Sequence, residues 1–169
     1  ILNDKDEQIP ISQADAKYKR YIGNGAPKHF LSWSNNLTWR NFDLSVFFRG
    51  TFGFDVFNMR KYGMGLQGCG TDNVLRSAYL EDKNIRTGGG VISSYFLEDG
   101  SFIKLENVTL GYNFTPKNRK LLDNMRIYLS AKNLFTLTGY SGNDPSIIDV
   151  NGIQPGVDSN SAYPTATQL

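Results

Sequence analysis

The sequence predicts an all-β protein built of antiparallel strands, and two observations carry that prediction. Apolar and polar residues alternate over four long runs of the 169-residue chain, and the connections between the runs are alternately short and long. Successive side chains of a strand point to opposite faces, so each run gives a strand with one apolar and one polar face. A sheet with two unlike faces is therefore expected.

The first two runs predict a tight hairpin. Residues 29–40 and 42–54 both alternate, and only Arg40 and Asn41 separate their apolar patterns. Such a short connection between alternating runs is typical of two antiparallel neighbours. Asn35 is the one polar exception on the apolar parity of the first run. The predicted apolar positions are Leu31, Trp33, Leu37, Trp39, Phe42, Leu44, Val46, Phe48, Phe52 and Phe54.

The last two runs predict a second strand pair around a polar turn with a proline. In residues 101–114 the apolar parity changes near Glu106 and Asn107, which predicts a β-bulge. In residues 125–137 one parity stays apolar, apart from Asn133. At about 3.3 Å per residue, that run is long enough to cross a bilayer at a tilt.

The lengths of the connections predict a transmembrane barrel. Residues 40–41 and 115–123 are short connections, whereas residues 55–100 and 138–162 are long ones. Outer-membrane barrels have short periplasmic turns and long extracellular loops in this alternation. We expect about five strands of a larger barrel, the fifth beginning in residues 163–169, and a short helix in the sequence DVFNMRKYG.

Alternation also assigns side chains to the two sides of such a wall. Charged residues fall on one parity only, and this parity is expected to face the lumen. The side chains expected to face lipid are Leu44, Val46, Phe48, Ile127, Leu129 and Phe135. The side chains expected to face the lumen are Ser45, Arg49, Arg126, Ser130 and Lys132.

Three stretches also resemble a known family. They read YIGNGAPKHFLSWSNNLTWRNFDLSVFFRGTFG, EDGSFIKLENVTLGYNF and MRIYLSAKNLFTLTGYSGNDPS. They resemble, in order, the C-terminal barrel of SusC/RagA-type TonB-linked outer-membrane proteins of the Bacteroidota. The resemblance implies that residues 1–169 are the C-terminal part of a barrel of about twenty-two strands, without its plug domain and most of its wall. The chain is accordingly expected to be cut from a longer polypeptide.

The resemblance also implies a function and a set of partners. Family members import glycans or peptides through the outer membrane of Gram-negative bacteria. A SusD-like surface lipoprotein covers the barrel, and TonB supplies energy through an N-terminal part that this chain lacks. The remaining expected contacts are the rest of the same barrel, outer-membrane lipid and an oligosaccharide or peptide substrate.

Composition and single residues argue against other classes of protein. A net charge of +2 is too small to predict a nucleic-acid partner. Cys69 is the only cysteine, so neither an intramolecular disulfide nor a zinc site made of cysteine pairs can form. His29 is the only histidine, so neither a Ser-His-Asp triad nor a metal site with several histidines is expected. The acids that an enzyme would use, Glu98, Asp99, Asp144 and Asp149, lie in polar loops without a second catalytic group. We expect neither an enzyme nor a metal or cofactor.

Aromatic residues in the long connections are the candidate contact residues. Residues 55–100 and 138–162 are expected on the extracellular side, where they contact a SusD-like partner or the ligand. The candidates are Tyr62, Tyr79, Tyr95 and Phe96. Two alternatives remain open. The loops only cap the barrel, or the chain is a soluble β-sandwich that binds carbohydrate through Tyr62, Tyr79 or Tyr95.

Overall fold

The computed structural model describes residues 21–65, 73–76, 79, 94–116, 124–148, 153–159 and 163–169. Cys69, Asp149, the first twenty residues and most of the predicted turn at 115–123 lie outside this part of the chain. The long strands are β1 (His29–Trp39), β2 (Phe42–Phe52), β5 (Phe102–Phe114) and β6 (Met125–Thr138). The shorter elements are β3 (Asp55–Asn58), helix α1 (Met59–Met64), β4 (Leu97–Asp99) and β7 (Val157–Asp158), with 3-10 turns at Ser94–Phe96 and Pro145–Ile147.

The four long strands form one antiparallel sheet in the order β1-β2-β5-β6. β1 and β2 are joined by Arg40 and Asn41, and Arg40 has a backbone φ of 54°. This tight connection confirms the predicted hairpin. All three pairings within the sheet are antiparallel, so the fold is all-β, as alternation predicts.

Bulges keep the apolar residues of this sheet on one face. Between Val46 and Phe48 of β2 there is one residue, but the matching partners on β5, Val108 and Leu105, are separated by two. The extra residue is Glu106, at the predicted bulge. β6 carries a further extra residue near Asn133, which has a φ of 54°. The change of parity in the sequence of β5 is therefore caused by a bulge, and the apolar side chains before and after it lie on the same face.

The resulting apolar face is large and open. Cross-strand rows such as Leu44–Leu110–Leu129 and Phe48–Leu105–Phe135 run over β2, β5 and β6. Among the described residues nothing covers the rows. Trp39 is 67% exposed, Leu37 57% and Leu129 66%. A soluble sandwich would bury this face against its second sheet, and the second sheet here lies elsewhere.

The two long connections fold together at one end of the sheet. β3 and β4 come from the first connection and β7 from the second, and they form a small sheet in the order β4-β3-β7. Its core is the cluster Phe54, Val56, Phe102, Tyr140 and Ile148. We call residues 53–65, 94–100, 139–148 and 153–159 the cap. The core of the described chain therefore consists of cap residues together with Phe102 of β5.

Three sequence-based expectations change in detail here. The helix predicted for DVFNMRKYG begins only at Met59, because the four residues before it pair as β3. Phe54 does not continue the apolar face of β2. Gly53, with a φ of 73°, ends that alternation and turns Phe54 into the cap core, where it is 2% exposed. The predicted fifth strand shows one bridge, between Gln168 and Lys132.

No helix among the described residues has the length and the apolar run needed to cross a membrane.

Candidate functional site

Three of the four predicted contact residues lie together in the cap. Phe96 is buried, and its ring centroid lies 5.2 Å from that of Tyr62 and 5.1 Å from that of Tyr95. Phe57 closes the cluster at 5.8 Å from Tyr62. Tilted and edge-on ring pairs of this kind add to the burial energy. Phe96 therefore acts as packing that holds the two tyrosines in place.

Tyr79, the fourth predicted residue, lies apart from this cluster. Its side chain is 68% exposed, and its backbone N–H donates a hydrogen bond to the carbonyl oxygen of Arg76. The structure thus brings together Tyr62, Tyr95 and Phe96, and leaves the contact role of all four a prediction.

A lysine joins the aromatic cluster to a carboxylate. The ammonium of Lys61 lies 4.5 Å from the ring centroid of Tyr95 and 3.2 Å from the Oε1 atom of Glu98. Helix α1 positions this lysine, because the side chain of Asn58 caps the helix by accepting a hydrogen bond from the Lys61 backbone N–H. Tyr95 therefore presents its ring with a cation on one face.

Glu98 joins the two long connections to each other. Its Oε2 atom accepts a hydrogen bond of 2.8 Å from the backbone N–H of Ser141, and its Oε1 atom accepts one of 2.8 Å from the Ser141 hydroxyl. Burial by itself raises the pKa of Glu98, but the bonds from Ser141 and the charge of Lys61 outweigh burial and lower it. The ionised carboxylate is thus the form that binds the connections together.

Lys104 fastens the second connection to the large sheet. Its ammonium lies 3.2 Å from Asp144 Oδ2 and 2.8 Å from Ser146 Oγ, and it also donates to the hydroxyl of Thr165. Both charged side chains are almost fully buried, with 3% and 8% exposed. Burial raises the pKa of Asp144, but the bonds from Ser146 and the ammonium of Lys104 lower it below the ordinary value.

A third polar contact lies inside the cap core. Tyr140 is 6% exposed, and its hydroxyl donates a hydrogen bond of 2.7 Å to Oδ2 of Asp158. Burial, together with this hydrogen bond and the negative charge of Asp158, raises the pKa of the Tyr140 phenol far above its ordinary range. The phenol therefore remains a neutral donor and ties β7 to the segment that follows β6.

The polar face of the large sheet carries its own network. Arg126 of β6 pairs with Asp43 of β2, and Asn113 of β5 donates to the same carboxylate at 2.9 Å. Further along, the hydroxyls of Thr109 and Ser130 are hydrogen bonded at 3.0 Å. Arg49 pairs with Glu106 at the bulge. The charged and hydroxyl side chains predicted on one parity therefore interact across strands on one face.

Three of the four acids considered for an enzyme have structural partners, and Asp149 lies outside the described residues. Glu98 binds Ser141 and Asp144 binds Lys104, while Asp99 accepts hydrogen bonds from the backbone N–H and the hydroxyl of Ser101. Within the described ranges, no group of three or more His, Cys, Asp or Glu side chains is arranged to hold a metal ion. These carboxylates stabilise turns and the cap.

Sequence reasoning did not predict the contacts of Lys104 or Glu98. A lysine on the polar parity of a strand reads as a solvated side chain, and 40 residues separate it from Asp144. The one available signal is the sequence Asp144-Pro145-Ser146, in which an aspartate precedes a proline. Such a pattern starts a helical turn, and Asp144 does cap one here.

Comparison with known proteins identifies relatives among the TonB-dependent receptors. No family model matches the chain. It is 30% identical over 161 residues to TonB-dependent receptor P3 of Formosa agariphila, a match that covers 86% of this chain and 15% of the relative. It is 27% identical over 142 residues to TonB-dependent receptor SusC of Bacteroides thetaiotaomicron, covering 79% of this chain and 13% of the relative.

A solved structure shares the fold of nearly the whole chain. The structure of the RagAB peptide importer in its closed-closed state superposes with a TM-score of 0.73 at 23% identity, over 99% of this chain and 19% of that chain. The chain belongs to the SusC/RagA-type TonB-dependent receptors. Members of this family are outer-membrane β-barrel proteins.

Membership in the SusC/RagA-type receptors gives the large sheet its context. The sheet is part of the wall of a β-barrel, so the predicted fold class is confirmed. The chain spans less than a fifth of the length of the relatives that it matches. What a SusC/RagA-type receptor does as a whole therefore depends on more residues than the 169 of this chain.

Proposed function

We propose that the protein imports oligosaccharides or peptides through the outer membrane, and that this chain supplies the C-terminal part of its barrel wall with two extracellular connections. One observation carries the proposal. Four long antiparallel strands present a continuous apolar face that no other described element covers, with a hydrogen-bonded polar face behind it. This is the arrangement of a wall between lipid and a water-filled lumen.

The height of the apolar face agrees with a bilayer. From Ile127 to Leu137 there are ten steps along β6, which at about 3.3 Å each and a tilt of about 40° span roughly 25 Å. Outer-membrane barrels have apolar bands of about this height. The height of the apolar face thus matches the thickness of the hydrocarbon region.

An aromatic row marks the end of this face near the short turns. Trp39, Phe42, Tyr112 and Phe114 follow one another, with ring centroids 6.4, 4.8 and 6.2 Å apart. Aromatic girdles occupy both membrane interfaces of such barrels. We assign this end to the periplasmic side, and the opposite end with the cap to the extracellular side.

The partners follow from the relatives. RagAB is described as a peptide importer and SusC as a TonB-dependent receptor. We extend these properties to this protein: TonB supplies energy through the part of the protein outside this chain, and a SusD-like lipoprotein covers the barrel. The protein is then a transporter without catalytic residues. Tyr62, Tyr79, Tyr95 and Phe96 belong to the connections that would meet that lipoprotein or the ligand.

Uptake by the intact protein tests the proposal. Cells that produce the full-length protein and cells that lack it are compared for uptake of fluorescent peptides and oligosaccharides, with and without an uncoupler. We expect protein-dependent uptake of one ligand class that the uncoupler abolishes, and co-purification of a surface lipoprotein. Uptake that is equal in both strains for both classes would contradict the proposal.

Shortening the first connection tests the contact role of the loops separately. Removal of residues 66–92 leaves β3, α1 and β4 in place. We expect normal assembly but reduced uptake or reduced lipoprotein binding. Unchanged uptake and unchanged co-purification would show that this part of the connection is only a cover over the barrel.

A further inference from the structure

The position of Lys104 shows on which side of the wall the cap lies. Across the strands Lys104 pairs with Arg49 and Thr136 on the polar face, while its neighbours Ile103 and Leu105 belong to the apolar face. A lysine on a polar face is expected to be solvated. Only 3% of this side chain is exposed, because the second connection passes over it.

Phe102 repeats this observation one layer higher. It pairs with Thr51 and Thr138, which places it on the same polar face as Lys104. Yet Phe102 is 3% exposed and belongs to the cap core with Tyr140 and Ile148. An apolar side chain on this face is stable only because the cap covers it. The cap therefore packs against the polar side of the wall.

The cover extends over part of the wall only. Thr51 of β2, beside Phe102, is 2% exposed, but Phe30 of β1, which pairs with Thr51 on the same face, is 65% exposed. Ser34 of β1 is also exposed. The cap thus covers the polar face where β2 ends and β5 begins, and it leaves the polar face of β1 open.

The cap is attached to the wall through a nearly buried ion pair. The ammonium of Lys104 has three oxygen partners, from Asp144, Ser146 and Thr165, and Thr165 also donates to Asp144 at 3.0 Å. Removing the Lys104 ammonium while the cap stays in place would leave the nearly buried carboxylate of Asp144 without its cation. Breaking such a pair is among the costliest local changes in a protein.

We propose that the cap is a collar: Lys104 anchors it on the lumen side of the wall, and there it narrows the extracellular mouth and limits the size of solutes that enter. The inference rests on the proposed function, because that proposal assigns the polar face to the lumen. An element packed on the inner side of a closed wall occupies part of its open cross-section. The same element on the outer side would leave the mouth unchanged.

Thiol labelling from outside the cell tests the collar without requiring transport. Ser34→Cys is introduced into the full-length protein in a cysteine-free background, which places a thiol on the polar face one layer below Arg49 and Lys104. Intact cells are treated with a small sulfonated maleimide and with maleimides that carry polyethylene glycol chains of increasing length. The measured quantity is the ratio of the labelling rates of long and short reagents.

We expect Lys104→Met to raise this ratio several-fold, because the loss of the ammonium leaves Asp144 without its cation and releases the collar. Arg60→Ala is the matched control. It removes the hydrogen bond to Asn143 inside the cap and leaves the contacts of Lys104 intact, so the ratio should stay at its original value. If Lys104→Met does not assemble, Ser146→Ala and Thr165→Val each remove one acceptor and should raise the ratio by less.

The other outcomes are distinct. An unchanged ratio in assembled Lys104 or Ser146 variants would overturn the collar and leave the transporter proposal in place. A thiol at position 34 that reacts with a lipid-soluble maleimide and with no water-soluble reagent, in cells that lack the lipoprotein, would place that face against lipid and overturn both proposals. A ratio that rises equally in Arg60→Ala would show a general loosening of the cap instead of an anchor at Lys104.

Discussion

Arg126 and Asp43 form an ion pair that passes over a strand. Arg126 lies on β6 and Asp43 on β2, and Gly111 of the intervening β5 lies beneath them. A Cβ atom at position 111 would come within 2.5 Å of both Asp43 carboxylate oxygens and 2.8 Å of Arg126 Nε. The glycine is therefore the residue that lets side chains of β2 and β6 interact directly across β5.

Gly111→Ala should separate Arg126 from Asp43 and leave the strands paired, because the crowded atoms are the ends of two flexible side chains. The measurement is the temperature at which the folded full-length barrel loses its compact migration on an SDS gel. We expect a small decrease, similar to that caused by Asp43→Asn. In the double variant the second change should add little, because both remove the same contact. Fully additive decreases would show that the ion pair is not what Gly111 accommodates.

The two faces of β2 should respond oppositely to a new charge. Val46 pairs with Val108 in the apolar face, whereas the adjacent Ser45 pairs with Thr109 in the polar face. An arginine on the lipid side near the membrane centre costs about 2–4 kcal/mol. Val46→Arg should therefore reduce the amount of barrel assembled in the outer membrane, and Ser45→Arg should not. Equal amounts of the two variants would contradict the assignment of the faces.

The bulge at Glu106 should tolerate substitution but not deletion. Glu106 is the extra residue that returns Leu105 and Ile103 to the apolar face. Deleting it would turn these two side chains toward the polar face and Lys104 toward lipid. We expect no assembled barrel from the deletion.

Glu106→Ala is the control for that deletion. It keeps the backbone residue and loses only the ion pair with Arg49, so the barrel should assemble at close to the normal level. Normal assembly of the deletion variant would show that the strand can slip to another register without cost.

Acid should loosen the cap before it affects the wall. Folding lowers the pKa of Glu98 from its ordinary value of 4.5 and that of Asp144 from 3.8. The ionised groups therefore stabilise the cap above these ordinary values, and the stabilisation is lost as pH falls through the lowered values. A spin label at Met59→Cys on α1 should be immobile at neutral pH and become mobile only at a pH below the ordinary pKa values of both carboxyl groups.

Two controls accompany the pH titration. A label at Thr38→Cys on β1 should show no such change, since neither acid contacts that strand in the described structure. Glu98→Gln should make the Met59 label more mobile already at neutral pH, because the amide loses the charge interaction with Lys61. A Met59 label that behaves identically at both pH values and in both proteins would show that these carboxylates do not hold the cap.

The sequence alone determined the wall of this protein. Period-two alternation depends only on the order of neighbouring residues, so it assigned Leu44, Val46, Ile127 and Leu129 to one face and Ser45, Arg126 and Ser130 to the other, and the register agrees. Even the bulge at Glu106 was visible as a change of parity. Local backbone geometry sets all of these features, and a local pattern is enough to predict them.

Only the tertiary structure decided what the long connections form. The pairing of β3 with β7 joins segments about a hundred residues apart, and the bonds of Glu98 to Ser141 and of Lys104 to Asp144 span about forty. Contacts of this kind leave no periodic pattern in the sequence, since in an irregular loop the position of a residue does not fix the direction of its side chain. The burial of Phe96, Phe54 and Lys104, and the side of the wall on which the cap lies, follow from that long-range packing alone.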